Sequence, residues 1–144
     1  MKKLWGLTSM ALLLPVTVGC DAVSDLLSPS RVTVSLINNG EFEVQARFFI
    51  SEDQNTLEAL LTELGDELNF TVPAGETTTF TRDCDDLQAI ILNDAELRVL
   101  GSVGPEADTD VLRDGDDFGC GDSIVFTFDH SDVLLDFDVA VAVH

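Results

Sequence analysis

The chain has 144 residues, about one domain's worth. Its 27 acidic residues outnumber seven basic ones, for a formal net charge of −20, and 45% of the chain is hydrophobic, enough for an ordinary core. The cations are two adjacent lysines near the start and five widely spaced arginines. Nucleic-acid binding and electrostatic docking on anionic lipid both need clustered cations, so both are excluded.

Lys2 and Lys3 give the chain a positive start, and Leu7 to Val18 follow as a mostly apolar run of about a dozen residues. That run is too short for a hydrocarbon core of ~30 Å and reads as the core of a signal peptide. It ends in Thr17-Val18-Gly19-Cys20. These residues resemble the lipobox of bacterial lipoproteins processed by signal peptidase II, where small residues precede a cysteine that becomes the lipidated first residue. Gly19 and Cys20 fit; Thr17 departs from the usual leucine three places before the cysteine. The resemblance covers residues 1–20 only. It implies loss of 1–19, acylation of Cys20, a lipid bilayer as anchor, and a place in the cell envelope on the periplasmic or external side. More than one acyl chain is what firm anchoring requires. The alternative is ordinary cleavage after Ala22 and secretion. Asp21 stands where enterobacterial lipoproteins carry a signal for retention at the inner membrane.

The three cysteines are Cys20, Cys84 and Cys120. With Cys20 acylated, Cys84 and Cys120 are left to pair, and export puts them where a disulfide persists. Residues 20–30 read as the lipidated cysteine and a tether, which reaches at most about 35 Å when extended. The domain then runs from 31 to 144.

Period two dominates from Arg31. Val32, Val34 and Leu36 alternate with Thr33 and Ser35, and beyond Asn39-Gly40, Phe42, Val44, Ala46, Phe48 and Ile50 alternate with Glu43, Gln45, Arg47 and Phe49. Asn-Gly between two such runs predicts a hairpin, about 31–37 with 41–50. Leu57, Leu60, Leu61, Leu64 and Leu68 then fall at helical spacing. Asn55 with Glu58 resembles a capping box and Gly65 suits a helix end, so a short helix is expected near 55–64. Its leucine stripe is expected to close one end of the core; the sharper reading is a helix that binds a partner. Strands follow at about 68–73 and 77–82 around Pro73-Ala74-Gly75. Residues 87–100 form two short strands, or one long strand with a bulge at Asn93-Asp94. A long acidic loop takes 101–121. Ser123 to Asp129 and Val133 to Val143 form the last strands, turning at His130-Ser131-Asp132. The fold class is all-β: an antiparallel β-sandwich of seven or eight strands with one inserted helix. An immunoglobulin-like arrangement is the first choice, a jelly roll or barrel the second.

The acidic loop carries the candidate metal ligands. Calcium takes six to eight oxygens, and Asp114, Asp116, Asp117 and Asp122 offer carboxylates for it. An EF-hand is rejected, because Phe118 and Val125 stand where ligands belong. A Cys84–Cys120 bridge would bring Asp83, Asp85 and Asp86 toward this cluster. A saline medium that screens the charge explains the same composition without a site. Catalysis has little to work with. His130 is expected to be solvated in a turn, and His144 to fray at the end. The chain has no tyrosine, and both lysines lie in the signal segment. Paired carboxylates without tryptophan or tyrosine platforms are a poor sugar site. Asn69-Phe70-Thr71 matches a glycosylation pattern by coincidence. The sequence thus reads as a non-catalytic envelope lipoprotein, a structural or protein-interaction module for an unknown envelope protein. The alternative is calcium or ligand binding by the acidic loop 106–122.

Overall fold

Alternation in β1 (Arg31–Asn38) buries Val32, Val34 and Leu36 completely, and in β2 (Glu43–Ser51) it buries Val44, Ala46, Phe48 and Ile50. The computed structural model describes residues 29–99, 102–130 and 136–144. The signal segment, Cys20 and the tether to residue 28 lie outside them, as does 131–135, which takes the expected turn and the start of the last strand. The elements that follow are α1 (Glu58–Leu64), β3 (Asp66–Val72), β4 (Thr77–Asp83), β5 (Ala89–Val99), β6 (Ser102–Ala107), β7 (Leu112–Arg113), β8 (Ser123–His130) and β9 (Phe137–Val143).

They build the expected β-sandwich. One sheet has the order β4-β1-β8-β9; the other has β3-β2-β5-β6, with β7 pairing the start of β5. Immunoglobulin domains place the second and fifth strands together, and the third beside the sixth and seventh. Five strands here follow that pattern, β1 with β4 and β2-β5-β6 opposite, and β3 adds an edge beside β2. The departure is β8, which pairs with β1 in parallel, so the sheets are not wholly antiparallel.

The predicted hairpin does not form. β1 and β2 belong to different sheets, and so do β3 and β4. Both connections are arches that carry the chain across the core. Alternation fixes which face of a strand is buried, not which strand lies beside it. The Asn39-Gly40 signal is diverted by Asn38, whose side chain is buried at the arch. Its amide donates to the carbonyls of Phe42, Val72 and Pro73 at 2.8, 3.0 and 3.1 Å, and its oxygen accepts from the Gly40 N–H at 2.9 Å. One amide therefore ties the two arches together.

Residues 89–99 form one long strand. Arg47 pairs with Asp94 and Phe48 with Leu92, so Asn93 is the extra residue of a bulge. The expected loop over 101–121 is in part sheet. β6 pairs with β5 as an edge strand, with Gly104 and Pro105 at its own register shift. Proline and a bulge are typical of edges and disguise a strand in sequence. Phenylalanines join the sheets: Phe48 meets Phe126 edge-on at 4.9 Å, and Phe70 stacks on Phe80 at 4.8 Å.

Candidate functional site

The helix α1 lies on the outer face of the β3-β2-β5-β6 sheet. Phe49 on β2 and Ile91 on β5 point outward and would be wet without cover. Leu61 fills that place, fully buried beside Phe49, Ala89 and Ile91. This is the helix's one buried side chain. Leu57, Leu60 and Leu64 fall at i, i+3 and i+7 on a neighbouring face and are 67%, 43% and 77% exposed. The expectation that the stripe closes the core is therefore corrected: Leu61 packs on the outer face, Leu68 packs against the core from β3, and Leu57, Leu60 and Leu64 face outward. The capping box does not form either. Leu57 is the N-cap, without a side-chain cap bond, and Asp53 instead accepts from the Asn55 N–H at 2.8 Å. Gly65 ends the helix in an extended conformation, its N–H donating to the Leu61 carbonyl at 2.9 Å. A Cβ there would collide with the carbonyl oxygens of Leu61 and Ile50. Close approach, not left-handed backbone, is what demands glycine.

The exposed leucines border a groove of about 340 Å³ whose other walls include Ser51, Asp53 and Thr56. Glu52, Asp53 and Asp66 line the adjoining surface beside Leu64, and Glu58 and Glu63 are exposed on the helix itself. No lysine or arginine occurs between Arg47 and Arg82. Arg113 approaches from β7, where its guanidinium donates to the Gln54 carbonyl.

A chain of hydrogen bonds places this surface at the end of the sandwich where β1 begins, beside Ser30. The Ser30 carbonyl accepts from the Cys84 N–H at 2.9 Å. The Cys84 carbonyl accepts from the Gln88 side chain at 2.7 Å, and the Gln88 N–H donates to the Ser51 carbonyl at 2.8 Å. Ser51 then shares a hydroxyl bond of 2.9 Å with Thr56, at the foot of α1. Cys84 and Cys120 form the expected disulfide at this end, with Cα atoms 5.5 Å apart.

The acidic residues beside it are dispersed. Asp83 pairs with Arg31 at 3.0 Å. Asp117 accepts from the Arg113 N–H at 2.8 Å and Asp122 from the Gly119 N–H at 2.7 Å. These two carboxylates shape turns. Asp114 and Asp116 belong to the same turn by their backbone bonds, the Asp116 N–H donating to the Arg113 carbonyl. Among the described residues, no three His, Cys, Asp or Glu side chains form a group able to hold a metal ion.

His130 is corrected from a solvated turn residue to a structural one. It ends β8 at the arches, its Nε2 accepting from the Glu41 N–H at 2.9 Å and its ring lying 5.5 Å from Phe42. A Cβ on Gly40 would collide with this imidazole. His144 does not fray: its N–H and carbonyl both pair with Ser123, at 3.0 and 2.9 Å. Sequence reasoning also missed a polar groove on the outer face of β2, β3 and β5. There Arg47 pairs with Asp94 at 3.2 Å and Arg98 with Glu96 at 3.1 Å. Alternate outward positions on adjacent strands were the available signal. No helix among the described residues is long and apolar enough to cross a membrane.

No model of a known protein family matches the chain, and no curated protein matches it. Among solved structures it is similar to the crystal structure of the T6SS lipoprotein TssJ1 from Pseudomonas aeruginosa. The TM-score is 0.43 at 13% identity, over 81% of this chain and 97% of that one.

Proposed function

We propose that this protein is a lipid-anchored component of the cell envelope whose β-sandwich is a non-catalytic protein-interaction module. The observation that carries the reading is the outward leucine face of α1. Exposed leucines scattered singly need no explanation, but three at helical spacing around a groove mark a contact surface. The lipobox residues Gly19 and Cys20 supply the anchor, and a tether of about ten residues keeps the domain within roughly 35 Å of its membrane. The α1 surface sits at the tethered end, so its partner is membrane-bound or close to the membrane. The polar groups that catalysis would need are otherwise engaged: His130 holds an arch and the cysteines are bridged.

Two measurements test this reading. Cys20→Ala is expected to move the protein from the membrane fraction to the soluble fraction and to abolish fatty-acid labelling; retention would refute the anchor. A photo-crosslinking residue at Leu60 is expected to capture one specific envelope protein in living cells, whereas the same residue on the solvent face of β4, at Thr79, captures none. Equal patterns at both positions would refute the interaction surface.

A further inference from the structure

Carboxylates outnumber cations around the leucine face of α1. Asp53 lines its groove, Glu52 and Asp66 line the adjoining surface beside Leu64, and Glu58 and Glu63 are exposed on the same short helix. Arg113, whose guanidinium donates to the Gln54 carbonyl, is a single cation against them. Each candidate occupant meets these carboxylates differently. A second copy would bring the same carboxylates against themselves, and like charges facing across an interface oppose docking. An anionic bilayer would be repelled for the same reason. The chain's own tether, residues 21–28, has Leu26 and Leu27 but also Asp21 and Asp25, and no cation. What complements both features at once is an apolar segment with basic flanks.

Resting on the interaction-module reading, we infer that the α1 face docks a partner segment of two or three apolar side chains flanked by lysine or arginine, carried by another envelope protein. An amphipathic helix suits the geometry, since leucines at i, i+3 and i+7 offer a ridge of helical pitch to a facing helix. The apolar contacts would provide the holding contacts, and the carboxylates would set which segments are admitted and how fast they arrive. The partner's own charge pattern then follows: its docking segment is basic where the rest of this protein's surface is acidic.

The test uses the full lipidated chain in phosphatidylcholine nanodiscs, with empty discs as blank. The probe is a fluorescein-labelled amphipathic peptide of leucine and lysine, about fifteen residues long; its control has glutamate for every lysine. By anisotropy, the lysine peptide is expected to bind at least tenfold more tightly than the glutamate peptide. Raising sodium chloride from about 50 to 500 mM is expected to weaken it severalfold. Leu60→Ser with Leu64→Ser is expected to cost at least tenfold while leaving the melting temperature unchanged. Glu58→Gln with Glu63→Gln, which keeps the leucines, is expected to weaken binding about threefold and to reduce its salt dependence. Equal binding of the lysine peptide to the serine variant overturns the proposal, because bulk acidity and not the leucine face would then be the receptor. Equal binding of both peptides overturns it as well. Self-association that Leu64→Ser abolishes assigns the face to a second copy and overturns it too. Capture through Leu60 of an envelope protein whose contact segment is not basic would overturn this inference and leave the interaction-module reading standing.

Discussion

At the arch end of the sandwich, the chain turns one polar side chain inward and braces it with a second at the surface. Asn38 is buried with its amide bonded to three carbonyls, and His130 caps the Glu41 N–H. At the opposite end, beside Ser30, the chain is held by the disulfide and the hydrogen-bonded Ser30–Cys84–Gln88–Ser51 path, while three leucines face outward. The contrast separates two uses of a connection. A buried polar group with every bond made stabilises and has nothing left to offer. An exposed apolar one contributes little to the fold and has all its surface to give.

The disulfide is the largest single stabiliser expected from this comparison. Cys84 and Cys120 are 36 apart in sequence, and closing such a loop is worth on the order of 4 kcal/mol in the chain-entropy model. Reduction of the mature protein is expected to lower its melting temperature by roughly ten degrees or more, read by circular dichroism. If reduction leaves the melting curve in place, the disulfide end is held by packing and the contrast between the ends fails. Next comes Asn38→Ala. It strands the buried carbonyl of Val72 and the partly buried carbonyls of Phe42 and Pro73 and N–H of Gly40. A loss of roughly 3 kcal/mol is expected in urea unfolding. Asn38→Asp should lose nearly as much, because a carboxylate accepts and does not donate.

How far the sequence carried follows from the same residues. Period two in Val32–Leu36 and Val44–Ile50 put the right side chains in the core, because burial of a face is a local property of a strand. Pairing is not local. Asn39-Gly40 spells a hairpin, and only the carbonyls that Asn38 reaches at Val72 and Pro73, more than thirty residues on, make it an arch. The helix was legible from its leucines, but its orientation was not: Leu61, rather than its three neighbours, is buried because Phe49 and Ile91 on two strands happen to need cover. β6 was hidden by Pro105 and by the acidity around it, since edge strands tolerate what central strands reject. The disulfide could be read from a count. The carboxylates beside it were easy to see, and their engagement by the backbone N–H groups of Arg113 and Gly119 was not.

His130→Ala is a smaller break at the arch end. It removes, among its contacts, the acceptor of the exposed Glu41 N–H and the Phe42 ring contact, so about 1 kcal/mol is expected in the same unfolding assay. The double variant with Asn38→Ala sharpens the point. The two residues brace the same arch, so their losses should not add, and a coupling above about 0.5 kcal/mol is expected. Strict additivity would mean that they hold separate parts of the connection.

The smallest expected effect concerns calcium. If the acidic loop were a site, native-state binding at a hundred times its dissociation constant would add about 2.7 kcal/mol, several degrees of melting temperature. Asp117 and Asp122 already accept backbone N–H groups, and no metal-holding group of three forms among the described residues. Screening of like charges remains, and it depends on ionic strength rather than on the identity of the cation. Millimolar calcium is therefore expected to raise the melting temperature no further than sodium chloride of matched ionic strength, and EDTA to leave it unchanged. An excess for calcium, removed by Asp114→Asn with Asp116→Asn, would mean that these turns rearrange around an ion. The disulfide end would then also be held by polar groups turned inward, and the difference between the two ends would lie in the ligand and no longer in the principle.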